Sequence, residues 1–506
     1  MKYTNNKPPM YIKSSGKLPK IILVTLRNAQ FISVVLFCAA VFYTLYAISE
    51  SAVENTRISE NALLPGLVEE QFKDSWLVQH YTKQLTRHSN SRRELREYVV
   101  AELKRQQIEV YTRNTKKTNS TGAGAGENIY GIVRAFRAAP AESILLVCRL
   151  GESHINSMAI ALTLASYAKQ QIYWARDVIF LFVDGEKLAT EAWMAAYHGH
   201  EHKFFDMDEL QARGGFFIGA IVLDLVGTSY SHINIQYGMI NGRLPNLDLV
   251  NLLVLLVEKF GVSPSVYNAV HHPTRVRHHY DYRTALLTFS RSIFYESFIE
   301  YEGLHSVIGG YGVNAVTLQA RQSSPGKGKP FVEITRIAEG GLRSLNNILE
   351  KFHQSYFLYI LTHPHRFISV AYYMPIIGLL ILPMIFLALR DWFQIPNIEA
   401  KPALNIAITY LLAILFHALQ IFLYSAQTNA GSIAMLTLAL PVLPIFLFNQ
   451  IQTNCHYYFT RLFVALNIAL FIGALSLLNF SLALALAITL LPFAFFVLCS
   501  ESFPKR

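Results

Sequence analysis

Val178-Ile179-Phe180-Leu181-Phe182-Val183 is an unbroken apolar run that stops at Asp184-Gly185-Glu186-Lys187, just ahead of a helical stretch through Thr190-Glu191-Ala192-Trp193. The run reads as a buried strand, and a polar turn at the C-terminal edge of such a strand is where open α/β enzymes keep catalytic groups. On either side the pattern continues. Asn128 to Arg134 and Ser143 to Cys148 are strand-like, Ser157 to Ala168 suits a helix packed closely on a sheet, and Gly219 to Leu225 is a further buried strand with Asp224 near its end. Leu247 to Phe260 reads as a helix, Val313 to Leu318 as a late strand, and Leu67 to Gln107 as helical with apolar residues three and four apart. Strands alternating with helices predict a layered α/β domain around a largely parallel sheet. An amphipathic stretch from Ile337 to Phe357 would lead from it to a membrane part.

Hydrophobic residues make up 52% of the 506 and charged ones 15%, against roughly 25% charged in an average soluble protein. The apolar excess is gathered in long runs, which makes this an integral membrane protein. The net charge of +10 reads as topology and phosphate-facing surface, since no module for DNA or RNA is visible. Residues 1–30 hold Lys2, Lys7, Lys13, Lys17, Lys20 and Arg27 and no acid, and Phe31 to Ile48 follows without a charge. That run is long enough to span a bilayer and longer than the core of a usual cleaved leader. The positive-inside rule puts residues 1–30 in the cytosol, the anchor at 31–48 and the region 51–365 across the membrane. A bundle of about five helices is expected over 367–499, with spans near 367–389, 403–425, 431–449, 462–478 and 481–499, and 500–506 as a cytosolic tail. Arg390, Asp391, Glu399, Lys401, Arg461, Lys505 and Arg506 all fall on the cytosolic side of this scheme. Asn119-Ser120-Thr121 is a glycosylation candidate on the opposite side, and Asn479-Phe480-Ser481 sits too near the bilayer to be used.

Of the four cysteines, only Cys148 lies in the large polar region. It ends a buried strand, so an inert thiol is expected and a Cys–His dyad is not. His198-Gly199-His200-Glu201-His202 is expected in a solvated loop, and His271 to His279 in a basic surface loop with phosphate binding as the alternative. No serine elbow, P-loop or dinucleotide fingerprint is present.

Several longer segments carry a resemblance. Gln171-Ile172-Tyr173-Trp174-Ala175-Arg176-Asp177, Thr190 to Trp193, Asn241-Gly242-Arg243-Leu244-Pro245-Asn246-Leu247-Asp248, Phe352 to Tyr359 and Tyr373-Met374-Pro375 are similar to the GPI-anchor attachment (Gaa-type) subunit of the GPI transamidase complex. The similarity runs from about Asn128 to Ile377 and weakens after residue 390. The large domain in turn resembles the co-catalytic zinc aminopeptidases, in which the turn after this strand reads Asp-Gly-Glu-Glu. Carried over, that resemblance puts Glu186 in the general-base position, Lys187 where a ligand would stand, and Asp224 on the later acidic ligand. The His-x-Asp motif becomes Arg149-Leu150-Gly151, and the bridging Asp falls near Ile155-Asn156. Two acids do not hold two zinc ions, so no metal or other cofactor is expected. Glu186, Lys187, Arg149 and Asp224 are expected to pair among themselves. The alternatives are a remade single-metal site using Asp184, Glu152 or His154, and contact of Arg149 and Lys187 with a GPI phosphate.

The resemblance implies a subunit without catalytic residues of its own, resident in the endoplasmic reticulum membrane. It would bind the GPI lipid and present its ethanolamine amine to a thioester on a caspase-like cysteine subunit, with the other transamidase subunits as partners. It also implicates a proline of the last membrane helix in GPI recognition, and Pro492 is the matching residue, with helix kinking as the alternative. Two other classes compete: an active zinc peptidase or peptide ligase of the endoplasmic reticulum, and a membrane scaffold or transporter. The transporter is disfavoured because no buried charged pair marks a transport path.

Overall fold

The computed structural model of the chain describes residues 28–68, 70–115, 126–136, 141–185, 187–200, 210–270, 280–299, 303–322, 328–348, 352, 357–395, scattered positions between 404 and 418, and 454–499. It divides into two compact units, Leu45–Tyr373 with Leu478–Leu482, and Met1–Thr44 with Met374–Leu477 and Ala483–Arg506.

The larger unit is built on strands β2 (Glu109–Thr115), β3 (Gly126–Val133), β4 (Glu142–Arg149), β5 (Asp177–Val183), β6 (Phe216–Leu225), β7 (Tyr230–Gln236), β8 (Pro264–Val266), β9 (Ala269–Val270) and β10 (Asn314–Gln322). They form one sheet in the order β2-β3-β5-β4-β6-β10-β7-β8-β9. The four central strands β5, β4, β6 and β10 are parallel, and both margins bring in antiparallel pairs. Alternation along each strand sorts the core into two layers. Ile144, Leu146, Cys148, Val178, Phe180 and Phe182 face one side, while Leu145, Val147, Ile179, Leu181 and Val183 face the other. The first layer is covered by helices α3 (Ser75–Arg87), α4 (Arg92–Arg105), α5 (Ile155–Gln170), α7 (Leu247–Lys259) and α10 (Val332–Asn347), the second by α6 (Lys187–His198) and α9 (Leu304–Gly310).

Local chemistry sets the helix ends. Ser91 caps α4 by accepting from Arg93 N at 3.2 Å, and Lys104 and Arg105 lie in its last turn, where cations suit the dipole. In Asn241 to Asp248, Asn241 (φ 61°) and Gly242 (φ 69°) take the left-handed region that most side chains avoid. Asn246 then caps α7 through Asp248 N at 2.9 Å, and the Asp248 carboxylate accepts from Ser59 N and Oγ at 3.0 and 2.5 Å. The motif is therefore a turn followed by a helix start that also holds an early segment of the domain.

The stretch from Ile337 to Phe357 is not one helix. Helix α10 begins earlier, at Val332, and ends at Asn347. A hairpin of β11 (Tyr359–His363) and β12 (Arg366–Ser369) then pairs with the short strand β1 (Glu54–Asn55) before helix α11 (Val370–Gln394) begins. Phe367, Ile368 and Ser369 belong to that hairpin and not to the span predicted from 367. Their apolar character serves pairing with Leu361, Ile360 and Tyr359, and an apolar run alone does not separate the two outcomes.

Three described helices are long and apolar enough to cross a membrane, over Ala29–Ala47 (α1), Val370–Gln394 and Tyr457–Leu478, with a shorter apolar helix over Phe480–Phe496. The last two lie in α12 (Asn454–Leu478) and α13 (Phe480–Cys499). The expected spans at 403–425 and 431–449 fall largely outside the described residues. The bundle contains a buried charged cluster. Asp391 pairs with Arg390 at 2.9 Å and with Arg461 at 3.1 Å, and both guanidiniums also donate to Leu498 O. Arg390 and Asp391 stand near the end of α11, Arg461 near the start of α12 and Leu498 near the end of α13. Among the described residues the cluster ties the ends of three helices together.

Arg176, from the Gln171-to-Asp177 motif, clamps α10 to the start of β5. Its guanidinium donates to Glu142 Oε2 at 2.9 Å and to the carbonyls of Leu345, Asn346 and Ile348, which the helix end leaves unsatisfied. Asn346 Oδ1 accepts from Ala175 N and Arg176 N in return. Charge-assisted bonds contribute about 1.5–3 kcal/mol each, so Arg176→Ala should destabilise the protein by roughly 3 kcal/mol or more. Arg176→Lys should recover only part of this, because an ammonium cannot reproduce the planar fork. Denaturation midpoints of the detergent-solubilised chain check this, and an unchanged midpoint for Arg176→Ala would contradict the clamp.

Candidate functional site

Because β5, β4, β6 and β10 are parallel, their C-terminal ends gather on one edge and bring Arg149, Asp184, Asp224 and Gln319 to it. Glu186 lies outside the described residues. Lys187 opens α6, and Arg149 ends β4.

Asp224 does not stand free for a metal. Its Oδ2 accepts from Gln319 Nε2 at 3.0 Å, and its Oδ1 faces His154 Nδ1 at 3.5 Å. Burial holds the His154 pKa below its ordinary value; Asp224 counters that shift and Arg149 adds to it. From Gln319 a chain of amides crosses the sheet. Gln319 Oε1 accepts from Gln236 Nε2 at 2.9 Å and Asn234 Nδ2 at 3.3 Å, and Asn234 Oδ1 accepts from Asn268 N at 3.0 Å. Beside it, fully buried His305 bridges Thr317 Oγ1 at 2.7 Å and Gly238 O at 2.9 Å. Burial first, then the nearby Lys187 ammonium, push its pKa down to about 4 against the bond to Gly238. The imidazole is neutral at pH 7, donating from Nε2 and accepting at Nδ1.

Asp184 is committed elsewhere. Its Oδ2 accepts from Arg96 at 3.2 Å and Glu127 N at 3.4 Å, Arg92 lies 3.6 Å from Oδ1, and Asp184 N donates to Asn128 Oδ1 at 3.1 Å. Gly126, at φ 125°, lets β3 run against this turn; a Cβ there would sit 1.9 Å from Asp184 O. Among the described residues no three His, Cys, Asp or Glu side chains converge to hold a metal. The carboxylate that remains is hydrogen-bonded by an amide, and Arg149 adds positive charge beside it. These residues do not fit a zinc centre.

The structure thus joins Asp224 to His154 and the amide chain. His154 stands in the sequence only as one neighbour in an alternative metal site, while Gln319, Gln236 and Asn234 escape notice altogether. They stand in strands that already mix polar and apolar residues, so nothing in the sequence marks them out. Cys148 is buried, and desolvation pushes its thiol far up. His198 is not in a solvated loop: it closes α6, with its ring stacked on Tyr311 at 5.4 Å and burial lowering its pKa. Glu201, His202, the stretch 271–279 and Asn119 lie outside the described residues. Pro492 is exposed on α13. Asn479 spends both amide atoms, donating to Glu296 O at 3.3 Å and accepting from Leu482 N at 3.0 Å.

The family described as "Gaa1-like, GPI transamidase component" matches residues 125–505. The GPI transamidase component GAA1 of Saccharomyces cerevisiae is 28% identical over 374 residues, covering 72% of this chain and 57% of that protein. Its Schizosaccharomyces pombe counterpart is 27% identical over 379 residues, covering 73% and 64%. The match therefore spans less than two thirds of either relative. Among solved structures, Fimbriiglobus ruber glutaminyl cyclase is 14% identical, covering 54% of this chain and 98% of that one at a TM-score of 0.36. A putative Zn-dependent exopeptidase from Bacteroides vulgatus is 13% identical, covering 56% and 99% at 0.33.

The depressed His305 pKa sets a pH dependence. Unfolded, this histidine takes a proton near pH 6.5; folded, at about 4. Between those values the unfolded state binds the more protons, so the contribution is whole above about pH 6.5 and is lost as the pH falls towards 4. The loss amounts to about 3 kcal/mol. Denaturation midpoints from pH 7 to 4 should fall more steeply for the wild type than for His305→Gln, whose side chain does not titrate. Parallel profiles would contradict the assignment.

Proposed function

The chain belongs to the Gaa1-like family of GPI transamidase components, and from that premise we propose that it acts as a subunit without chemistry of its own, binding a GPI lipid and presenting its ethanolamine amine for attachment to protein C-termini. The observation that carries this reading is the edge of the parallel strands. The position where a hydrolase keeps ligands and base holds an Asp224–Gln319–Gln236 hydrogen-bond chain, a neighbouring histidine and arginine, and a lysine. Cys148 is too buried and too high in pKa to serve as a nucleophile.

In this reading the thioester sits on a caspase-like cysteine subunit. The amine nitrogen forms the new amide bond and the thiolate leaves. This chain contributes position: at the well-oriented limit, holding two reactants together supplies roughly 7–11 kcal/mol of the barrier. Asp224 has a structural role within the sheet, and Arg149 and Lys187 pair with neighbouring acids or contact a GPI phosphate. The apolar helices and their prolines suit a lipid substrate, and exposed Pro492, which removes one backbone donor from α13, is the candidate GPI contact. The membrane is that of the endoplasmic reticulum, with residues 1–30 and 500–506 cytosolic, 51–365 lumenal, and Asn119 the glycan acceptor.

Affinity purification of the full chain from microsomes should bring down a cysteine-nucleophile subunit of caspase-like sequence in stoichiometric amount; purification with no such chain would overturn the proposal. In the purified complex, Pro492→Ala should lower transfer to a GPI acceptor several-fold with assembly unchanged. Unchanged transfer would make the proline a helix kink only.

A further inference from the structure

Helix α8 (Tyr282–Phe298) is inside out. Its exposed positions recur at helical spacing, Arg283, Leu287, Ser290, Phe294 and Phe298, with Leu287 47%, Phe294 53% and Phe298 59% exposed, and Ile299 just beyond the helix at 38%. The side it packs inward carries Ala285, Thr288, Phe289 and Ser292. Thr288 and Ser292 satisfy their hydroxyls within the helix, on Thr284 O and Phe289 O. A helix on a water-facing surface places its apolar stripe inward and its polar residues outward. Here three large apolar side chains are outward, while Phe289 is the one large apolar side chain among the buried four and half of those four are hydroxylic.

Both ends of α8 are tied to places where apolar membrane helices end. At the N-terminal end the Tyr282 hydroxyl donates to Leu45 O at 3.1 Å and the Tyr280 hydroxyl donates to Ile48 O. These carbonyls lie in and just after the last turn of α1. At the C-terminal end the Glu296 carboxylate accepts from Ser481 Oγ at 2.6 Å and from Tyr267 Oη at 2.6 Å, and Asn479 Nδ2 donates to Glu296 O. Asn479 is the turn between α12 and α13, and Ser481 opens α13. All of these residues belong to one compact unit. A helix of this length extends about 25 Å, and each of its ends is bonded to the end of an apolar segment.

We propose that α8 is an interfacial helix, lying in the surface of the membrane leaflet on the side of the large domain. Leu287, Phe294, Phe298 and Ile299 enter the acyl boundary, and Arg283 sits at the level of lipid phosphates. The tethers to Leu45, Ile48, Asn479 and Ser481 favour lipid over a protein partner, because they fix the helix where the spans emerge. The proposal rests on the membrane spans and is independent of any part in transamidation.

The test uses the full chain with its four cysteines replaced and single cysteines introduced as Leu287→Cys, Phe294→Cys and Phe298→Cys. Tyr173→Cys, at a position 69% exposed, is the control. Each is labelled with an environment-sensitive fluorophore and reconstituted in phosphatidylcholine–phosphatidylethanolamine vesicles with or without doxyl-labelled lipid. The three α8 labels should emit at shorter wavelength than the control and lose emission to the doxyl lipid, while the control does neither. Solvent-like, unquenched emission at all three would overturn the proposal. So would a blue shift that needs other protein chains and shows no quenching by lipid, which would make the stripe a protein interface. As a check without substitutions, photoreactive phosphatidylcholine should give adducts within 282–299 of the wild-type chain; adducts confined to the spans would count equally against it.

Discussion

The clamp of Arg176 on the end of α10 is the constraint on which the larger unit depends. It fastens the last helix of the domain to the first residues of a central strand, and the chain leaves that helix for the hairpin β11–β12 and the span α11. One guanidinium serves because a helix terminus presents several unsatisfied carbonyls in a small space, and a planar fork of donors meets them together. Asp177, the next residue, extends the arrangement by accepting from Arg134 Nη1 at 2.9 Å and Ala135 N at 2.8 Å. The motif that carries the family resemblance is thus architectural, and it lies at the strand ends opposite the edge that bears Asp224.

At the opposite edge four parallel strands deliver polar side chains to one place. Asp224 is held by an amide that is itself held by two more, which fixes the carboxylate as an acceptor within the sheet. His305, neutral and bonded at both nitrogens, packs beside this chain under the field of Lys187. The carboxylate of Asp224 and the amides of Gln319 and Gln236 are bonded to one another there. That internal bonding underlies the proposed role as a presenting subunit.

Strands β4, β5 and β6 are legible in the sequence because burial on both faces demands continuous apolar runs, and Asp224 is legible because a carboxylate interrupts such a run near its end. The pairing partners of Asp224 are not. Gln319, Gln236 and Asn234 are distant in sequence and meet only through the register of β10 with β6 and β7. The hairpin β11–β12 is hidden because Phe367-Ile368-Ser369 continues directly into an apolar span. The Arg390–Asp391–Arg461 cluster reads as three connecting charges until the helix ends converge. Helix α8 is not singled out in the sequence; the exposure of Leu287, Phe294 and Phe298 shows which face looks outward.

The central claim is that the edge of the parallel sheet is held by hydrogen bonds among its own side chains and carries no metal chemistry. Elemental analysis of the purified full-length chain by mass spectrometry tests it most directly. The account predicts no stoichiometric zinc or other transition metal after dialysis at neutral pH. One or two zinc ions per chain would contradict it, place ligands among residues here assigned to hydrogen bonding, and return direct hydrolysis or ligation to this chain.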